Sequence, residues 1–282
     1  MNPDLTLLDN PAWWALCGPQ NDLASGNGQL KAYQNHILPF AAWNAPKSTS
    51  IHTAASRTAP PSTAIPTTWI ETSGYSPIDL RPLEQWLPAG KPFFMIGALP
   101  ALPSNWQIEK ELPCLQMLWS LTEGTTGTQL DPAPAAPRLD PAPAAPQLDP
   151  DQLAPHISPL EPKDKMTMYD LVQKVQPGYY EPDSYRLGKY FGIFEGNRLI
   201  AMAGERMRLD GMSEISAVCT DPDFRNRGYG ARLTLEVCRY NAKEGRLPFL
   251  HVLERNESAI RLYENLGFKT RRIISFWKLS YC

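Results

Sequence analysis

The 282-residue sequence predicts a mixed α/β protein in two parts: a C-terminal sheet flanked by helices and an N-terminal α/β region of different character. Three observations predict it. From residue 157 onward, β-branched and aromatic runs separated by Gly-containing turns alternate with stretches of helical period. Hydrophobic residues make up 43% of the chain and charged residues 20%, enough apolar material for packed cores. Charge is also divided unevenly: residues 1–129 carry 6 basic and 9 acidic groups, whereas residues 163–282 carry 20 basic and 15 acidic groups.

In the N-terminal region, Asn10-Pro11 ahead of Ala12-Trp13-Trp14-Ala15-Leu16 reads as the capped start of a short helix. Residues 44–68, rich in Ser, Thr, Ala and Pro, read as a loop. Leu80, Leu83 and Leu87 recur at helical spacing until Pro88-Ala89-Gly90 ends the run, and residues 93–97 then read as a buried strand. The many tryptophans read as core anchors rather than as a ligand pocket.

A nine-residue repeat follows, Leu-Asp-Pro-Ala-Pro-Ala-Ala-Pro at 130–137 and again at 139–146, decaying from Leu148. Proline lacks the donor for a ladder and alanine has little to bury, so the repeat reads as an extended spacer. No aromatic or basic residue recurs in each copy, as a docking site for a proline-binding module would need. The expected division is therefore residues 1–124, a linker over 125–156, and residues 157–282.

The C-terminal part reads as strands near 157–160, 190–195, 199–209, 214–219 and 249–253. Helices are expected around 165–175, 230–244 and 257–266, and the tail 268–279 closes as one or two strands. Asp210-Gly211 marks a hairpin because both residue types tolerate positive φ. A meander followed by strand–helix–strand–helix makes a mixed sheet.

Several function classes are excluded by composition. A net charge of −2 and a pI near 6.1 give no basic field for nucleic acid or anionic lipid. The apolar stretches are too short to span a membrane, and no basic stretch with an apolar core opens the chain, so a cytoplasmic protein is expected. The five cysteines (Cys17, Cys114, Cys219, Cys238, Cys282) are odd in number and widely spaced, which fits a reducing compartment. Neither they nor the four histidines have metal-ligand spacing, so no metal is expected.

Two motifs carry chemistry. Arg225-Asn226-Arg227-Gly228-Tyr229-Gly230-Ala231 sits between a strand and a helix, where free N–H groups and close backbone approach suit phosphate oxygens. It is not a Walker loop, since no Lys-Ser/Thr follows. The second motif, Asn256-x-x-Ala259-x-x-Leu262-Tyr263-x-x-Leu266-Gly267-Phe268, reads by itself as an N-capped amphipathic helix with Tyr263 in the core.

Together, over residues 157–282, the two motifs closely resemble the GNAT N-acetyltransferase superfamily, whose sheet is mixed but mostly antiparallel. The C-terminal half is similar to that of glycine N-acyltransferase-like acetyltransferases, and the N-terminal half is long enough to be a decayed copy of the same fold. The resemblance implies transfer of an acetyl group from acetyl-CoA directly to a primary amine, on a small molecule or amino acid. Acetylation of protein N-termini or lysines, and a non-catalytic CoA-binding module, are the alternatives.

The same resemblance implies the site. The strand carrying Val218, Cys219 and Thr220 would splay from its neighbour and pair with the pantetheine arm, with the Val218 N–H facing the thioester oxygen. Residues 225–231 would hold the diphosphate, Asn256 the pantetheine arm, and Tyr263 would protonate the departing thiolate. Glu214 stands where some family members place a base, and strand alternation would put Glu214, Ser216 and Val218 on one face. Tyr179, Tyr180 and Glu181 are the acceptor-binding candidates. Cys219, inside a strand, reads as an inert core thiol.

Overall fold

Residues 3–34, 37–45, 78–87, 89–120, 155–175 and 179–282 are described in the computed structural model. The linker repeat and most of the expected 44–68 loop lie outside them. The chain begins with a short helix, α1 (Pro11–Cys17), then β1 (Ala24–Gly26), β2 (Leu30–Tyr33) and β3 (Ala41–Trp43), which form a small antiparallel sheet. Pro11 occupies the first turn of α1 as expected, but Asn10 does not cap it; its side-chain amide donates instead to the Trp43 carbonyl at 2.8 Å. The helical spacing around Leu83 produces a single 3₁₀ turn, Arg81–Gln85.

The remaining elements are β4 (Phe93–Ile96), β5 (Trp106–Trp119), β6 (Ile157–Leu160), α2 (Lys165–Val175), β7 (Tyr190–Glu195), β8 (Arg198–Leu209) and β9 (Met212–Thr220). They end with α3 (Tyr229–Lys243), β10 (Leu247–Leu253), α4 (Glu257–Asn265) and β11 (Phe268–Tyr281). The large sheet has the order β4-β11-β5-β10-β9-β8-β7-β6. Only β9 and β10 run parallel among its named pairs. Gly211, with φ 70°, turns the β8–β9 hairpin between Leu209 and Met212 as Asp-Gly predicts.

The sheet crosses the boundary that composition draws. β5, from the first part of the chain, lies between β10 and β11 and pairs antiparallel with both, while β4 extends the edge beyond β11. Pro113 is tolerated inside β5 because β10 ends opposite Cys114; just past that end the Pro113 carbonyl accepts from the Glu254 N–H at 3.0 Å, a bond that needs no donor from proline. The tail, expected as one or two strands, is the single strand β11, and the place beside β10 goes to β5.

Apolar side chains pack on both faces. α3 and α4 cover one face through Leu233, Val237, Ile260 and Tyr263, against Ile215, Leu250, Val252 and Met117. On the other face α2 packs Met168, Leu171 and Val172 against Met202 and Cys219. The N-terminal elements cover the rest of that face, placing Leu16, Tyr33 and Phe40 against Met207, Met212 and Phe249. No helix among the described residues is long and apolar enough to cross a membrane.

Candidate active site

The site is built where β9 and β10 part. Their register runs from Leu247 opposite Met212 to Leu250 opposite Ile215 and ends there. Beyond that level His251, Val252 and Leu253 pair with Gln116, Leu115 and Cys114 of β5. The last five residues of β9, 216–220, are left without their parallel neighbour.

A bulge shapes that free length. Cys219 stands opposite Met202 and Ser216 opposite Gly204, so Ala217 and Val218 together face Ala203. Ala217 takes φ 51°, rare for a residue with a side chain. The extra residue breaks the alternation assumed from sequence. Ile215 and Val218 pack on the α3/α4 face, whereas Ala217 and Cys219 pack on the α2 face. Glu214 therefore does not share a face with Val218.

The Gly-rich segment meets β9 at its end. Asp221 opens a 3₁₀ turn, Pro222–Phe224, by accepting from the Asp223 N–H at 3.2 Å. Burial would raise the Asp221 carboxyl, but hydrogen bonds from Lys174 and Arg198 prevail and hold it at about 2. Gly228 then takes φ 74° as the residue before α3, and a Cβ there would meet nothing within 4 Å. A Cβ on Gly230 would lie 3.8 Å from Val218 Cγ1 and 3.9 Å from Thr220 Oγ1, so strand and loop converge.

Among the described residues, the N–H groups of 226–231 have no hydrogen-bond acceptor. Arg225 and Arg227 have no carboxylate partner there; Arg227 lies over the Phe224 ring at 5.0 Å. Uncommitted N–H groups at a helix start beside two guanidinium groups have the chemistry to receive an anion such as a diphosphate.

Tyr263 lies on the same face, in the apolar cluster that holds Val218, Tyr229 and Ala259, with its ring 5.8 Å from that of Phe268. Burial pushes its hydroxyl up to about 12, so it carries its proton at neutral pH. Asn256 caps α4 by accepting from the Ala259 N–H at 3.3 Å, which commits its oxygen and leaves its NH₂ for other partners. Cys219 is buried, and burial pushes its thiol up to about 12, so it stays an inert thiol.

Glu214 is fully buried on the opposite face. Arg206 grips both carboxylate oxygens, through Nε at 2.9 Å and through Nη2, and His251 Nδ1 lies 2.7 Å from Oε1. Burial would raise this carboxyl, but Arg206 and His251 outweigh it and hold the group at about 2. Burial lowers His251 more than Glu214 raises it, so the imidazole is neutral and its Nδ1–H donates to Glu214. Its Nε2 then accepts from the Gln116 amide at 3.0 Å, and Gln116 Oε1 accepts from Arg271 at 2.8 Å. Arg206 also lies over the Phe40 ring at 5.2 Å, tying the network to the N-terminal half. The sequence reading missed Arg206, His251 and Gln116.

The acceptor candidates lie on this second face. Tyr179 packs edge-on against Phe94 with ring centroids 4.4 Å apart, and Tyr180 is buried beside Tyr190. Glu181 is half-buried, and burial raises its carboxyl although Lys91 opposes the shift. A cavity of about 630 Å³ lies elsewhere, near the starts of β9 and β10, and is lined by Gly211, Leu247 and Trp119. Among the described residues, no group of three His, Cys, Asp or Glu side chains could hold a metal ion.

Comparisons with known proteins fit this geometry. The family model described as FR47-like protein matches residues 190–277. A mycothiol acetyltransferase from Nocardiopsis dassonvillei is 33% identical over 110 residues, which are 37% of this chain and 33% of that protein. Another from Thermobispora bispora is 32% identical over 104 residues, 36% of this chain and 35% of the relative. The chain thus spans about a third of the length of these curated relatives. A solved structure described as an acetyltransferase from the GNAT family, from Novosphingobium aromaticivorans, is 29% identical with a TM-score of 0.69. That alignment covers 98% of each chain, the N-terminal half included.

Proposed function

We propose that this chain, a member of the GNAT N-acetyltransferase superfamily, transfers an acetyl group from acetyl-CoA directly to a primary amine on a small molecule. The observation that carries the reading is the parting of β9 from β10 after Ile215, opposite the uncommitted N–H groups of 226–231. Acetyl-CoA, when bound, supplies an activated acyl group on a good leaving thiol.

The rest is done by the chain. Residues 225–231 hold the diphosphate, and the free edge of β9 from Val218 to Thr220 aligns the pantetheine arm, with the Asn256 NH₂ alongside. The Val218 N–H meets the thioester oxygen where negative charge gathers as the amine attacks. The C–N bond forms as the C–S bond breaks, and Tyr263 gives its proton to the departing sulfur.

The amine attacks only when neutral, so it must lose a proton. Glu214, held at about 2 by Arg206 and His251 and closed off from solvent, is a weak base, and the reading keeps it as an anchor. The half-buried Glu181 is chemically the stronger base and stands next to Tyr180 on the acceptor side. Relatives named mycothiol acetyltransferases support a small acceptor, as does the N-terminal half covering that face of the sheet.

The test is release of free CoA thiol from acetyl-CoA with a panel of primary amines, including amino acids, and with peptides presenting N-termini or lysines. Turnover with a small amine supports the reading. Turnover with peptides alone would redirect it to a protein acceptor. Tight acetyl-CoA binding without turnover on any member would make the chain a non-catalytic binding module.

A further inference from the structure

Tyr180 is 7% exposed, and its hydroxyl has no hydrogen-bond partner among the described residues. Burying a hydroxyl unpaired carries a desolvation cost, so such a group calls for an explanation. Its surroundings supply one. The ring belongs to the apolar cluster that includes Ala217 and Cys219, the two residues flanking Val218 at the bulge. The hydroxyl and the Cys219 thiol are close enough to influence each other electrostatically.

The tyrosine is also held in place. The Glu181 N–H donates to Ser184 Oγ at 2.8 Å, and that hydroxyl donates to the Ile37 carbonyl of the N-terminal half at 2.5 Å. Tyr190 packs edge-on against the Tyr180 ring, with centroids 6.1 Å apart, and donates to the Ser184 carbonyl at 3.2 Å. Little rearrangement is needed to keep the phenol where it is. Between Ala217 and Cys219 lies Val218, whose N–H faces the thioester oxygen in the acetyl-CoA reading.

We propose that Tyr180 is a second hydrogen-bond donor to the acyl carbonyl oxygen, acting from the α2 face of β9 while the Val218 N–H acts along the strand. The inference rests on the acetyl-CoA reading and adds a residue to it. Tyr180 keeps its proton throughout; it stabilises charge on oxygen, while Tyr263 supplies the proton to sulfur.

The test is Tyr180→Phe in the full chain, which removes only the oxygen. Three readouts are taken: the carbonyl stretch of bound S-acetonyl-CoA (a ketone analogue), steady-state kinetics, and the melting temperature. Loss of one such donor lowers kcat by about 10²-fold. The expected result is that loss with KM for acetyl-CoA little changed, a carbonyl band at higher wavenumber than in the wild type, and a melting temperature equal or higher. Equal carbonyl bands and equal turnover would overturn the proposal while leaving the acetyl-CoA reading intact. Failure of the wild type to bind the analogue at all would overturn both.

Discussion

Glu214 on β9 and His251 on β10 are joined by a 2.7 Å hydrogen bond just where the two strands stop pairing. One residue earlier on β10, Leu250 is still in register with Ile215 of β9; from His251 onward β10 keeps its pairing with β5 on the other edge and has lost β9. The side-chain bond spans the apex of the opening. With Arg206 on the other side of the carboxylate, a buried charged pair marks the point from which the cleft widens.

Glu214→Gln tests whether this carboxylate anchors or catalyses. Removing its charge leaves the Arg206 guanidinium buried and uncompensated, so the variant should lose about 3–5 kcal/mol of stability. Its folded fraction should keep turnover within about threefold of wild type, since a weak base is lost. Urea denaturation with kcat measured under native conditions checks both. Undiminished stability with turnover down by about 10²-fold or more would restore the base role.

The same cluster sets a pH dependence. Glu214 titrates at about 2 in the folded protein, and His251 below its ordinary range. As pH falls, the unfolded chain takes up protons on both groups before the folded one does, and stability falls with it. For His251 the loss begins near pH 6.5; for Glu214 it begins near 4.5 and runs to about 2. The melting temperature should drop steadily from pH 7 to pH 4, and His251→Gln should flatten the upper part of that slope. A flat wild-type profile over this range would count against the cluster.

Gly228→Glu tests the phosphate cradle. A Cβ at that position meets open space, so the cost to the fold is the strain of a positive φ, about 1–2 kcal/mol. A carboxylate in the cradle repels a diphosphate. Calorimetry should show acetyl-CoA affinity reduced by about 10²-fold or more, a loss of at least about 2.7 kcal/mol, in a protein that still melts cooperatively. Undiminished affinity would remove residues 225–231 from the site.

Much of the C-terminal half is legible in the sequence, because its signals are local. Asp210-Gly211, the caps of α4 and the β-branched runs each depend on neighbours a few residues away. β5 is less so: Pro113 and the charged Glu109-Lys110-Glu111 disguise a strand whose partners lie more than 100 residues further on. The two bulges of the β8–β9 pair are likewise properties of pairing. Counting back from the hairpin puts Met207 opposite Glu214; the bulge between Glu205 and Arg208 brings Arg206 there as well. The residues of the cradle are readable as a motif, whereas the anchoring of Glu214 is not, since its bonds to Arg206 and His251 depend on register.

The place of β5 makes a prediction about the linker. A protease site engineered between Pro137 and Arg138, then cut, should leave two pieces that stay together, because β5 is hydrogen-bonded on both edges to the C-terminal piece. They should co-elute on size exclusion and keep acetyl-CoA binding, and the C-terminal piece expressed alone should be unstable. Separation of the cut pieces into two independently folded proteins would favour the two-domain division that composition draws.

Amide hydrogen exchange on the full chain, with and without acetyl-CoA, tests the central claim most directly, since it needs no knowledge of the acceptor. The account predicts slowed exchange at 218–220 and 226–231, where the N–H groups gain partners, with little change around Trp119, Gly211 and Leu247. Unchanged exchange across both of the first two segments, or protection concentrated at the cavity near Trp119, would contradict it.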